Sequence, residues 1–470
     1  MKINQQDNFS ANFGKVFRSS AIFYAVHDEK IKTTISLLNY WHLKNKVATQ
    51  VLINLRKING SLVSRESVDF DKSEVYNFSV PFGFEGSLEV EVFSARDMRV
   101  PYAAVTAMYE CQNSITMVHS YSRTYSQHEI EDNRVITEGA ESCWTIREDS
   151  STTSFCVFHN GPLNYPSQEI TFSIRNSLGD VLTKKFVIDE LKPFETRVIR
   201  PREVIPEIAT WLNGNPGQGK LRFNVYGAFT RMLCGISKID GSALHVTHSN
   251  FDYSHHETNY LSSIGEIGFM KTPNIQGIKS QGVVIYPDCA DGRFKVKGRD
   301  MSFAFSHGET LVLEQTSTGS MTYAFQSSEK LPSRIVTGLR LYSFRDSLPA
   351  ECSLGIVHSM EPEKHFHWMV TSQCFSTIIY WVTYEEIFGP IPDNSELVFN
   401  LYIDGKREPF TKRYLFTEVS EAGSLDLKMM FEDVDSTITY NYLSVWSSYG
   451  GMVFYTSLWK KDRVAIEHSF

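Results

Sequence analysis

No stretch of this sequence approaches the roughly 18 consecutive apolar residues of a membrane-spanning helix, so no membrane span is expected. Met1 to Ser20 is polar and lacks the apolar core, roughly 7–15 residues long, of a secretory signal. A soluble, cytoplasmic protein is the default expectation. Viral proteins assembled into particles also lack such signals, and that class stays open. Positive charge is in short supply, with 46 Lys and Arg against 54 Asp and Glu and a net charge of −8. That balance builds no field for a phosphate backbone and disfavours nucleic-acid binding. The seven cysteines are odd in number and scattered, with no Cys-x-x-Cys pair. This argues against a disulfide framework and a zinc knuckle, and leaves reduced, mostly buried thiols as the expectation. Also missing are a Gly-x-Ser-x-Gly nucleophile elbow and a His-Glu-x-x-His helix. No cofactor is expected.

What the chain does have is repetition. The stretch His248-Ser249-Asn250-Phe251-Asp252-Tyr253-Ser254-His255-His256-Glu257 echoes His119-Ser120-Tyr121-Ser122-Arg123-Thr124-Tyr125-Ser126-Gln127-His128-Glu129. Both read His-Ser, a spacer, Tyr-Ser, one residue, then His-Glu. Thr371-Ser372 and His468-Ser469 are shorter echoes. Ahead of each copy lie short β-rich runs in matching order. Val51–Arg56 with its Asn59-Gly60 turn corresponds to Ile170–Arg175 with Gly179-Asp180, and to Val398–Ile403 with Asp404-Gly405. Turn pairs of this kind between strand-like runs mark hairpins, because both residues tolerate positive φ. Matching strands in matching order mean one supersecondary unit reused.

The expected fold is therefore all-β, with four tandem antiparallel β-sandwich units joined by patterned linkers. Their boundaries are read at 1–130 (with an N-terminal arm), 131–260, 261–375 (the divergent copy) and 376–470. Unit size, strand count and alternation resemble immunoglobulin-like sandwiches in tandem, a resemblance of architecture that carries no function with it.

Chemistry-bearing candidates follow from the repeats. His119, His248, His256 and Glu257 are the residues to test for catalysis, since they would converge if a site lay between the first two units. Imidazole and carboxylate in His128, Glu129, His256 and Glu257 suit zinc, although the spacing matches no known short motif and the expectation is no metal. His365 and His367 sit at period two, so both rings would share one strand face and could ligate a metal. Tyr24, Trp144 and Trp381 occupy similar positions in three strands, each followed by an acid. They suit a sugar platform or, more plainly, core anchors. Gly214-Asn215-Pro216-Gly217-Gln218-Gly219-Lys220 imitates a phosphate loop. Leu221 stands where a hydroxyl is required, however, and a strand follows instead of a helix.

The favoured reading is a non-enzymatic multidomain binding or assembly protein that recognises a protein or a carbohydrate, with oligomers possible through edge strands. The alternative is a metal-dependent or carbohydrate-active enzyme with its site between the first two units.

Overall fold

A computed structural model describes residues 17–94, 103–124, 136–248, 250–251, 267–285, 292–297, 299–305, 311–315, 319–326, 337–344, 348–358, 362–420, 423–434 and 439–469. The fold is all-β: among the described residues 58% are in strands and 7% in helices, and these strands form several antiparallel sheets with no barrel among them. No helix among the described residues is long and apolar enough to cross a membrane.

One pairing scheme recurs four times. The sets of eight main strands run from Phe17–His27 to Ile115–His119, from Ile136–Ile146 to Leu244–His248, from Ile267–Thr272 to Ala350–Ser353, and from Phe366–Thr371 to Arg463–His468. In every set the fourth, third, sixth and first strands pair in that order, and the fifth, second, seventh and eighth form a second sheet. In the first set a single pair, His27 with Lys32, fuses the two into one ten-stranded sheet.

Period-two sequences explain why these sheets face each other. Ile170, Phe172 and Ile174 on one strand, and Leu221, Phe223 and Val225 on its neighbour, all point inward. They meet Cys156, Phe158 and Cys234 from the opposite sheet in one apolar core. Phe294 and Tyr323 meet Val283 and Leu339 in the third set, as Phe399 and Leu443 meet Ile379 and Phe454 in the fourth. The hairpin pairs expected from Asn59-Gly60, Gly179-Asp180 and Asp404-Gly405 join the third and fourth strands of their sets.

Two features depart from the sequence reading. In the immunoglobulin constant-type arrangement strands group as A-B-E-D against C-F-G. Here the first strand lies beside the sixth, and the second lies between the fifth and seventh. Alternation alone says which face of a strand is buried and nothing about its neighbour, so this order was not legible. The second feature is the start of the fourth set. Phe366–Thr371, which lies inside the bounds 261–375 expected for the third unit, pairs with Asn441–Ser447, and Ser376–Thr383 is the second strand of the fourth set.

The four sets close into a ring. Apolar side chains of the first set share a continuous core with Phe155, Val157 and Val246 of the second and with Trp368, Tyr442 and Leu458 of the fourth. Tyr380, Val382 and Ile466 of the fourth extend the core of the third. The second and third meet through buried Arg340, whose Nε lies 3.2 Å from Glu351, and through Thr145, which donates to the same carboxylate at 3.2 Å.

Candidate functional site

The eighth strands of the four sets run together at the centre of the ring. Where Ile115–His119 meets Leu244–His248, side-chain hydroxyls replace a backbone ladder. Ser114 Oγ accepts from the Leu244 N–H at 2.9 Å and donates to the Leu244 carbonyl at 3.1 Å. Two residues on, Thr116 Oγ1 does the same for Val246, at 3.3 and 3.0 Å. Period two puts both hydroxyls on one face, where they satisfy backbone groups that burial would otherwise strand.

The strand ends bring the repeated histidines together. The rings of His119 and His248 are 4.4 Å apart, edge to face, and those of His119 and His468 are 5.1 Å apart. The third set places Ser353 at this point, 3.5 Å from His248 Nε2. From the fourth set, the Glu467 carboxylate reaches His119, with Oε2 3.2 Å from Nδ1 and 3.3 Å from the backbone N–H that it accepts. Its Oε1 accepts from the His468 N–H at 3.1 Å. Burial raises the Glu467 carboxyl above its ordinary range, and the neighbouring His468 acts in the opposite direction. His468 Nδ1 lies 2.9 Å from the Ser469 carbonyl, which can only accept, so that nitrogen carries the proton.

Thus the histidines that close the first, second and fourth copies, 119, 248 and 468, share one junction. His128, Glu129, His256 and Glu257 lie outside the described residues. His365 and His367 do not form a ligand pair. His365 bonds the Ser447 carbonyl at 2.9 Å and sits 3.1 Å from Glu363, whereas His367 is buried with both nitrogens engaged, by Ser469 Oγ and the Lys364 carbonyl, each at 3.1 Å. Burial lowers its pKa to about 4, which keeps it neutral.

Among the aromatics, Trp144 is 1% exposed and stacks on Phe172, and Trp381 packs near Phe454 within the fourth core. Tyr24 donates to Glu85 at 2.5 Å and its ring lies 6.4 Å from Phe155 of the second set. Trp144 and Trp381 are buried and present no open ring face as a sugar platform would, whereas Tyr24 is partly exposed. The acids that follow Tyr24 and Trp144 serve locally. Asp28 accepts from the N–H groups of Lys30 and Ile31, and buried Glu148 accepts from Ser154 N and Arg202.

Sequence reasoning missed two groups. Glu467 precedes the last His-Ser pair and shares a strand face with Ala465, but a single acid there gave no hint that this face is covered. The other group lies on the outer face of the first set, where Glu89 and Glu91 are buried around Arg18. Asn54 donates to Glu91 at 2.7 Å and accepts from Arg65 at 2.7 Å. Burial, reinforced by the charge of Glu91, raises the Glu89 pKa to about 7. The apolar-acid alternation from Leu88 to Val92 reads as an exposed polar face, so the burial of this network was invisible in the sequence.

Among the described residues, His119, Glu467 and His468 form a group whose donor atoms all lie within 4.8 Å of one another. A cavity of about 10 Å³ between the second and third sets, lined by Trp144, Thr145, His245 and Glu351 among others, has room for about one water. Comparison with models of known protein families and with curated proteins gave no match.

Proposed function

We propose that this chain is a non-enzymatic binding or assembly protein whose partner is an extended protein segment, a second copy of the chain included. The observation that carries this reading is the use made of the repeated histidines. His119 and His248 are each under a tenth exposed and pack ring against ring at the junction, beyond the reach of a substrate. An enzyme between the first two units would need these groups accessible. Protein is favoured over carbohydrate by an edge. Val181–Ile188 is the outermost strand of its sheet, and Leu178, Val181 and Val187 are 85%, 52% and 59% exposed. Unpaired backbone groups beside exposed apolar side chains are what a strand-adding partner uses. Exposed Lys184 and Lys185 on the same strand restrain indiscriminate pairing.

Sedimentation velocity across a concentration series, together with selection from a random peptide display, tests the reading. The wild type is expected to self-associate or to enrich β-forming peptides, and the double variant Val181→Lys, Val187→Lys is expected to do neither. A wild type that stays monomeric, selects no peptide and hydrolyses a glycoside would overturn it.

A further inference from the structure

We infer that His119, Glu467 and His468 bind one divalent transition-metal ion, with zinc the best match to two imidazoles and a carboxylate, and that this ion clamps the first set of strands to the fourth. The inference goes beyond the binding function and does not depend on it.

Three observations carry it. The first is spacing. Ligands held about 2.0–2.1 Å from a tetrahedral zinc lie roughly 3.3 Å from each other. His119 Nδ1 and Glu467 Oε2 are 3.2 Å apart, and His468 Nε2 and Glu467 Oε1 are 3.7 Å apart. All three residues can offer atoms within 4.8 Å of one another, and closing that spread to the zinc spacing takes movement of the side chains.

The second is the tautomer. With its Nδ1 proton given to the Ser469 carbonyl, His468 turns Nε2 toward the carboxylate, 3.7 Å away, and an ion bound there would take the place of any proton on Nε2. A backbone carbonyl holding the distal nitrogen is the usual outer support of a metal-bound imidazole.

The third is burial against access. Glu467 and His119 are each 5% exposed, an expensive setting for a carboxylate that a dication would relieve. The His468 side chain keeps 22% exposure, a route for the ion and for a water as fourth ligand. The charge of Arg231 also acts on Glu467, so the ion competes with a purely ionic junction. That competition is what the experiment resolves.

Untagged full-length protein, purified without chelator, is analysed for metals. It is then stripped with dipicolinate, and retitrated with Zn²⁺ and with Co²⁺. About one equivalent of zinc per chain is expected. The melting temperature should fall on stripping and recover on zinc addition, and cobalt should give the visible spectrum of a four-coordinate site. Glu467→Gln and His468→Ala should each weaken metal uptake at least tenfold. His365→Ala, which alters an exposed histidine elsewhere, should leave uptake unchanged. Because the His468 side chain is less buried than Glu467, at 22% exposure, its variant reports on binding even if Glu467→Gln folds poorly. The proposal is overturned if stripped wild type takes up no stoichiometric zinc, or if His468→Ala binds zinc as the wild type does.

Discussion

At the scale of single residues, the outer network of the first set makes a prediction opposite to the usual acid lability. The folded pKa of Glu89, about 7, stands above its ordinary value of 4.5. Folding therefore favours the protonated carboxyl. The associated stability is full below the unfolded value and is lost as pH rises through 7. Glu89→Gln, which fixes the neutral form, should raise stability at pH 8 by on the order of 1–3 kcal/mol and change it little at pH 4. Urea unfolding at the two pH values checks this, and equal effects at both would show that Glu89 is ionised in the folded protein. Nothing in Leu88-Glu89-Val90-Glu91-Val92 announces the effect, because alternation records which residues share a face and not whether that face is covered.

At the scale of elements, the hydroxyl ladder between two eighth strands is the most specific joint. Thr116→Val keeps the shape but removes the oxygen that serves both backbone groups of Val246. It should cost about 1–3 kcal/mol in denaturant unfolding, the penalty of leaving buried polar groups unsatisfied. Two hairpin glycines give a paired test. Gly60 and Gly179 both adopt positive φ, at 81° and 90°. A Cβ on Gly179 meets nothing within 4 Å, whereas one on Gly60 would sit 2.3 Å from the Pro193 carbonyl oxygen of the second set. Gly179→Ala should cost about 1–2 kcal/mol, the conformational term alone. Gly60→Ala should cost clearly more, because the backbone across the joint must move. Equal losses in thermal melts would mean that the two sets do not touch there. The turns were legible as Asn-Gly and Gly-Asp pairs, but the close approach at one of them was not.

At the scale of the whole molecule, the first and fourth sets are linked by contacts more than 300 residues apart. Tyr442 donates to the Ser36 carbonyl at 2.7 Å, Tyr440 to Glu110 at 2.7 Å, and Lys460 to the Cys111 carbonyl at 2.8 Å. The apolar core of the first set runs without interruption into its neighbours on both sides. Independent beads would unfold in separate steps, but a shared core couples them. Calorimetry of the full chain should give one cooperative transition. Several resolved transitions would show that the ring contacts contribute little.

The amino-acid sequence by itself determined the all-β class, the repetition, the third-to-fourth-strand hairpins and the inward faces of strands such as Ile170–Arg175. Each of these depends on residues close together in the chain, where period-two alternation and turn chemistry act directly. It also picked out His119, His248 and His468 as equivalent ends. Only the tertiary structure decided that the first strand pairs with the sixth, that Phe366–Thr371 opens the fourth set, and that the three histidines meet Glu467 at one point. Those outcomes depend on which apolar faces find each other across hundreds of residues, and burial between distant segments leaves no local mark on the sequence.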